Sequence, residues 1–587
     1  MCGIFGILSK NKDVRNYVID GLIQLQNRGY DSCGIGLNND EKKFIVKKYA
    51  SSNISNSIDI LKEALNSNSN GDCDCDDDCN IYNIGIGHNR WATHGPKTDI
   101  NAHPHVSNDG KFLLVHNGII ENYSSIKQRL SGLKCDGKDI KFYSQTDTEV
   151  VVALISYYYS ITNDTLLSIE KAISDCRGTY GLVIMKYDEP NKLYCVRNGS
   201  PLLVGVNDEM CIVTSEQSGF CNLMNTYITL NNDDICCIEL CDDKSIKIKT
   251  NHTYTKNKVL NKGRALTPAP YDHWTLKEIN EQPNVILNSI NRGGRIKDDL
   301  NVKLGGLDGS RDLLQDIDNI IILGCGSSFN AGLYGSYFMK KISGFNCVMV
   351  IDGADLNEYD IPKIGKTGFI LISQSGETKD LHRCIRIAKK MSIVTIGVIN
   401  VVDSLIAREV DCGIYCNSGV EVGVASTKSF TSQVICLSLI ALWFSQIRNI
   451  NQNIRRNMIK DLRNLSNDYK NTIDMMEKNG YIKQLAQTLK KYQNIFILGK
   501  ECDLYIAREG ALKIKEISYI HTESYSSSSL KHGPFALLDE HFPVILLDCV
   551  DEYRSKVENC YQEIASRNAP IYTITNNQNS VYNNEKK

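Results

Sequence analysis

The chain has 587 residues, 42% of them apolar, and a formal net charge of -2 at pH 7. That length predicts several domains with ample cores, and the balanced charge excludes a nucleic-acid or anionic-membrane surface while leaving room for small anions held by amides and hydroxyls. No basic segment leads into an apolar run, the longest apolar run (VICLSLIALWF, 434–444) is too short to span a bilayer, and the 22 scattered cysteines read as reduced thiols, so a soluble cytoplasmic protein is expected.

The sequence opens MCGIFG. Removal of Met1 would leave Cys2 with a thiol and a free α-amine on one residue, a nucleophile that carries its own base. The amine has an ordinary pKa of roughly 7.7 to 8.0 and the thiol about 8.5, so proton transfer between them is easy near neutrality. Further on, NSNSNGDCDCDDDCN at 66–80 places Cys73, Cys75 and Cys79 among aspartates. No second ligand pair stands at zinc-site spacing, so this stretch reads as a solvated acidic insertion and no metal is assigned.

Up to about residue 265 the chain carries short β-rich runs such as GLVIMKY and NKLYCVRNG, which predict a stacked-sheet domain over 2–265 with helices outside. Polar clusters interrupt them: GHNRWATHG, NAHPH, VHNGIIENY and SQTDTE. For a cysteine attacking a carboxamide, Asn117 and the amide of Gly118 offer an oxyanion hole, Arg90 a bidentate grip on an α-carboxylate, and Asp147 a partner for an α-ammonium. Residues 266–310, which mix turn formers with an amphipathic segment, read as a linker.

Beyond 310 apolar strands alternate with helices, and a repeat emerges. NIIILG (319–324) matches NIFILG (494–499), GFILIS (368–373) matches FPVILLD (542–548) as second strand, and IVTIGVIN (from 393) matches PIYTIT (from 570). Two doubly wound α/β domains are expected, at 311–450 and 486–587, joined by a helical connector at 451–485. The first copy continues through CGIYC and EVGVASTKSFTSQ into a long apolar helix. The second has only NNQNSVYNNEKK after its third matched strand and is expected to be incomplete at its C-terminus.

In the first copy ISQSGET supplies Ser373, Gln374, Ser375 and Thr378 at a strand end, and LGCGSSFNAG supplies Ser327 and Ser328 beside it. Hydroxyls and free amides at helix N-termini make a neutral phosphate cradle. In the second copy AREGALKIKEISYIH puts Glu509, Lys513 and Glu516 on one helical face, and LKHGP sets His532 on a turn. A carboxylate to move a proton between adjacent carbons, a lysine to stabilise an oxyanion and a histidine to open a sugar ring would make an aldose–ketose isomerase site.

Taken in order, CGIFG, NRGYDS, RWATHG, HNGIIEN, TDTE, KEINEQP, SQSGET, GVASTK and ALKIKEISYIH closely resemble the glutamine:fructose-6-phosphate aminotransferase (isomerising) family over nearly the whole chain. The resemblance implies a class II glutamine amidotransferase domain of the N-terminal-nucleophile fold, two sugar-isomerase (SIS) domains and an internal ammonia channel. It implies that Cys2 forms a glutamyl thioester over Asn117 and Gly118, and that Arg90, Thr93, His94 and Asp147 recognise glutamine. Arg28 would help to close that site and Trp91 would gate the channel. Ser328, Ser373, Gln374, Ser375 and Thr378 would hold the sugar phosphate, with Ser426 near the sugar. Glu516 would shuttle the proton, Lys513 assist, and His532 open the ring from the neighbouring subunit of a homodimer. No cofactor is implied.

Two departures stand out. Ser529 in SSSLKHGP takes the place of a family glutamate, and the family's lysine-bearing tail of the type DxPRNLAKSVTVE has no counterpart in this sequence. The expectation that follows is a chain that hydrolyses glutamine better than it makes glucosamine 6-phosphate. An amidotransferase making phosphoribosylamine would need a different domain where SQSGET stands. A sugar-phosphate-binding regulator, or a glutaminase-only protein with a disabled synthase site, is the other alternative.

Overall fold

The computed structural model describes residues 2–26, 29–38, 44–52, 55–66, 81–92, 94–259, 268–402, 404–577 and 582. Most of the acidic insertion, with Cys73, Cys75 and Cys79, lies outside these residues. The chain forms two compact units, Met1–Thr267 and Pro268–Lys587.

The first unit is built on an eight-stranded and a six-stranded antiparallel sheet. Strand Gly3–Ser9 lies inside the larger sheet between Met210–Thr214 and Ile84–Arg90. Its side chains alternate as the pleat requires: Ile4 and Leu8 join a core with Leu113, Val115 and Val183 of the other sheet, while Phe5 and Ile7 face helix Arg15–Gln24. A Cβ on Gly21 would stand 2.2 Å from the Phe5 ring, so this helix lies directly on the strand. On the far side, helices Asp147–Thr162 and Thr165–Asp175 cover Leu114, Leu182 and Ile184. Both faces of the central strands of both sheets are thus buried.

The second unit holds two parallel sheets. The five-stranded one runs Cys347–Asp352, Asn319–Gly324, Thr367–Ser373, Val394–Ile399, Cys412–Tyr415, and the four-stranded one His521–Ser526, Asn494–Gly499, Val544–Asp548, Ile571–Thr575. Each is doubly wound: Ile320 and Ile322 face one core and Ile321 and Leu323 the other, and Ile495 and Ile497 alternate likewise with Phe496 and Leu498. The order places the second strand outside the first and the third on its other side, so the switch point falls between Asn319–Gly324 and Thr367–Ser373. Among the described residues the second sheet has no fifth strand.

Three sequence expectations change. GFILIS and FPVILLD are third strands, because Cys347–Asp352 and His521–Ser526 intervene; both are sheet-edge strands, and HTESYS is too polar to read as one. The segment read as a linker contains helix Trp274–Ser289, whose Val285 and Ile286 are buried, and Leu304 and Leu307 follow them into the core of the first copy. The connector is largely helix Gln452–Lys478, docked on the same core through Ile459 and Leu462, with Ser466 Oγ donating to the Pro283 carbonyl at 2.8 Å.

The apolar run at 434–444 belongs to the 20-residue helix Lys428–Ile447. Length and composition would suit that helix to a bilayer, yet it is mostly buried against helix Ser327–Ile342. Trp443 is fully buried and donates through Nε1 to Asp308 at 2.8 Å.

Because this segment gives Ile286 to the core, Ile286→Ala should destabilise the second unit by about 2 to 5 kcal/mol, whereas Leu276→Ala, on the exposed side of the same helix, should stay within about 0.5 kcal/mol. Denaturant unfolding of the full chain measures both.

Candidate active sites

In the first unit Cys2 stands immediately before the strand Gly3–Ser9. Its sulfur accepts a hydrogen bond from the Trp91 amide at 3.2 Å, and its own carbonyl accepts one from Asn117 Nδ2 at 2.9 Å. Burial pushes the Cys2 thiol pKa up, against the lowering pull of the Trp91 amide and Arg90. The resting thiol is therefore protonated at neutral pH, and attack requires a base. Gly118, with φ +133°, leaves no room for a side chain: a Cβ would lie 2.0 Å from the Thr179 carbonyl.

Asp147 opens helix Asp147–Thr162 and is buried; its Oδ2 accepts from the Ile120 amide at 2.8 Å. His94 stacks edge-on against Tyr123, and Trp91 against Tyr30. A small polar cavity brings Cys2, Arg90, Trp91, His94, Gly118 and Asp147 together. Arg28 and Thr93 lie outside the described residues. Arg90 differs from expectation. Its guanidinium is buried and donates to the carbonyls of His94, Gly95 (3.2 Å) and Pro96 (3.4 Å), so it organises the 94–96 turn as well as facing the cavity. Those bonds leave two of its five N–H groups for a ligand.

Four buried histidines cluster here: His103 and His116 line this cavity, and His88 and His105 pack against His103. Burial lowers the pKa of each, that of His88 to about 3, so all are neutral. GHNR, NAHPH and VHNG were visible as polar strings, but the packing of His103 against both His88 and His105 joins separate segments and has no local signal.

At the switch point of the first SIS copy, Ser373 closes its strand. Its Oγ accepts from the Gly376 amide and pairs with Thr378 Oγ1, both at 2.9 Å, while Ser375 Oγ accepts from the Glu377 amide at 3.2 Å. Gly376 has φ +66°, and a Cβ there would sit 1.8 Å from Ser404 Oγ. Thr378 precedes helix Lys379–Lys390, so the turn delivers hydroxyls and amides to a helix N-terminus with Gln374 half-buried beside them.

Ser328 lies across the crevice in the first turn of helix Ser327–Ile342. Ser327 is engaged elsewhere: it donates to Glu509 Oε1 at 2.8 Å and accepts from Lys513 Nζ at 3.1 Å. Glu509, which is 5% exposed, also accepts from Asn330 Nδ2 at 2.9 Å, and Lys513 reaches Glu516 at 2.6 Å. This network joins the two SIS copies and engages the Ser327 hydroxyl.

Ser426 donates to Glu421 at 3.2 Å, within a loop that sequence reasoning did not explain. Glu421 also accepts from the Thr427 and Ser429 amides, and Glu278 from those of Val422 (2.5 Å) and Gly423. His532 is exposed and makes no hydrogen bond through its ring. Among the described residues no hydrogen bond or ion pair joins it to Lys513 or Glu516. The described residues that could share a cation are Asp109, Cys135 and Asp136, but Lys111 Nζ already lies 2.6 Å from Asp136.

The fold and sites define an amidotransferase joined to a pair of sugar-isomerase domains. The pattern of the glutamine amidotransferase domain matches residues 88–222 and that of the SIS domain residues 313–443 and 488–587. A probable glutamine–fructose-6-phosphate aminotransferase (isomerizing) of Acanthamoeba polyphaga mimivirus is 42% identical, covering 98% of this chain and 91% of its own. The enzyme of that name from Chlorobaculum tepidum is 35% identical, with 98% and 90% covered. A solved C-terminal domain of glucosamine-fructose-6-phosphate aminotransferase from Francisella tularensis is 32% identical over 53% of this chain and 85% of that one, with a TM-score of 0.49. The chain belongs to the glutamine–fructose-6-phosphate aminotransferase (isomerizing) family of enzymes.

Burial, reinforced by the neighbouring Glu421, raises the Glu278 carboxyl from 4.5 to about 7. The folded state keeps a proton there that the unfolded chain has lost, so the stabilisation is complete below about pH 4.5 and lost as pH rises through about 7. Glu278→Gln keeps an acceptor for both amides and should remove this slope, ending on the order of 3 kcal/mol more favourable relative to wild type at pH 8 than at pH 4. Denaturant unfolding across that range measures it.

Proposed function

We propose that this chain transfers the amide nitrogen of glutamine to fructose 6-phosphate, with isomerisation, giving glutamate and glucosamine 6-phosphate. The observation that carries the reading is the hold on Cys2, sulfur to the Trp91 amide and carbonyl to Asn117, in a chain whose second unit builds the paired SIS crevice.

Once Met1 is removed, the α-amine of Cys2 takes the thiol proton that burial otherwise retains. The thiolate attacks the carboxamide carbon, Asn117 Nδ2–H and the Gly118 amide receive the oxyanion, and the amine returns the proton as ammonia leaves. Water then cleaves the thioester to glutamate. Asp147, His94 and the spare N–H groups of Arg90 hold the substrate's amino-acid end, with Arg28 and Thr93 completing the site.

On the sugar side, Ser328, Ser373, Gln374, Ser375 and Thr378 hold the phosphate. His532 opens the ring, and its exposure supports a homodimer in which it serves the neighbouring copy. Ammonia adds to the C2 carbonyl and water leaves. Glu516 carries a proton from C1 to C2 while Lys513 stabilises the developing oxyanion. The chemistry needs no cofactor and suits a cytoplasmic enzyme.

Cys2→Ala should leave unfolding unchanged and abolish glutamine hydrolysis, and a retained Met1 should do the same; mass spectrometry of the mature N-terminus beside a glutaminase assay decides this. Ser375→Ala with Thr378→Ala should weaken fructose 6-phosphate binding by about tenfold to a hundredfold per lost bond while sparing glutamine hydrolysis. Calorimetric titration with the sugar phosphate checks the first part. Unchanged affinity places the phosphate elsewhere.

A further inference from the structure

We infer that His88 is a positioning residue for the oxyanion hole, holding the Asn117 carboxamide in the one orientation that can stabilise the intermediate. His88 lies on strand Ile84–Arg90, fully buried. Its Nε2 faces the His116 carbonyl at 2.9 Å and Asn117 Oδ1 at 3.0 Å. A backbone carbonyl only accepts, so Nε2 must carry the hydrogen, and Nδ1, which has no partner, is the bare nitrogen.

The other end is fixed in the same way. Asn117 is 2.9 Å from the Cys2 carbonyl, another obligate acceptor, so the atom facing it is Nδ2 and the atom facing His88 is Oδ1. A flipped carboxamide would set oxygen against oxygen at Cys2 and hydrogen against hydrogen at His88. Two backbone carbonyls, that of Cys2 directly and that of His116 through the imidazole, therefore decide which Asn117 atom faces the nucleophile. One Nδ2 hydrogen is committed to the Cys2 carbonyl and the other remains for the oxyanion. Burial keeps His88 neutral, and packing on His103, 4.2 Å between ring centres, fixes the ring plane.

This inference rests on the amidotransferase reading, and its test separates the two. Glutamine hydrolysis by the full mature chain is measured for wild type, Asn117→Ala, His88→Gln, His88→Leu, His88→Met and the double variants. Absence of hydrolysis in wild type would overturn the amidotransferase reading itself. Removal of one oxyanion donor costs about 10²-fold to 10³-fold in kcat. His88→Leu and His88→Met, which have no N–H, should lose at least about tenfold in kcat with KM for glutamine within about twofold. His88→Gln, which can still donate to Asn117 Oδ1, should stay within a few-fold of wild type. In the Asn117→Ala background the His88 changes should cost less than about threefold more. Equal losses in both backgrounds, a rise in KM at constant kcat, or a His88→Gln protein that folds but is as slow as His88→Leu would overturn the assignment and leave His88 a core residue.

Discussion

A strand covered on both faces has little room for a reactive side chain except near its ends, and that constraint places the nucleophile and the SIS crevice of this chain. Cys2 precedes a strand whose Ile4, Phe5, Ile7 and Leu8 are all fully buried, and Arg90 closes the neighbouring one. Gly324 and Ser373 close the two strands at the switch point of the first SIS copy. The cores hold these ends still, and catalytic groups need that rigidity because small displacements are costly.

The two units solve the problem of buried polarity differently. Around Cys2 the solution is neutrality: the thiol and four histidines are all pushed toward their uncharged forms, and orientation comes from backbone acceptors. In the SIS unit a buried acid is instead surrounded by donors. Glu509 is buried but receives hydrogen bonds from Ser327 and Asn330 and lies 3.4 Å from Lys513. Removing one partner of such a group leaves an uncompensated charge, so this network locks one SIS copy to the other.

Much of this was legible in the sequence. The two-faced strands of the SIS copies announced themselves as NIIILG and NIFILG because burial on both sides leaves an unbroken apolar run. The chemistry-bearing strings lay between such runs. What could not be read was pairing across distance. Glu278 holds amides 144 and 145 residues away, and Ser327 serves Glu509 across 182 residues. Each of these contacts depends on how whole elements pack, and a serine or glutamate in a motif looks the same whether it touches a ligand or the backbone. The linker over 266–310 misled for a related reason: turn formers at its start obscured a helix that becomes core only once helix Lys428–Ile447 lies against it.

The central claim is that one chain moves nitrogen from glutamine to a ketose phosphate. Incubating the mature protein with glutamine labelled with ¹⁵N in the side-chain amide, together with fructose 6-phosphate, and analysing products by mass spectrometry tests it directly. The account predicts glucosamine 6-phosphate carrying ¹⁵N alongside unlabelled glutamate. Glutamate released with no labelled amino sugar, or no turnover of glutamine at all, would contradict it.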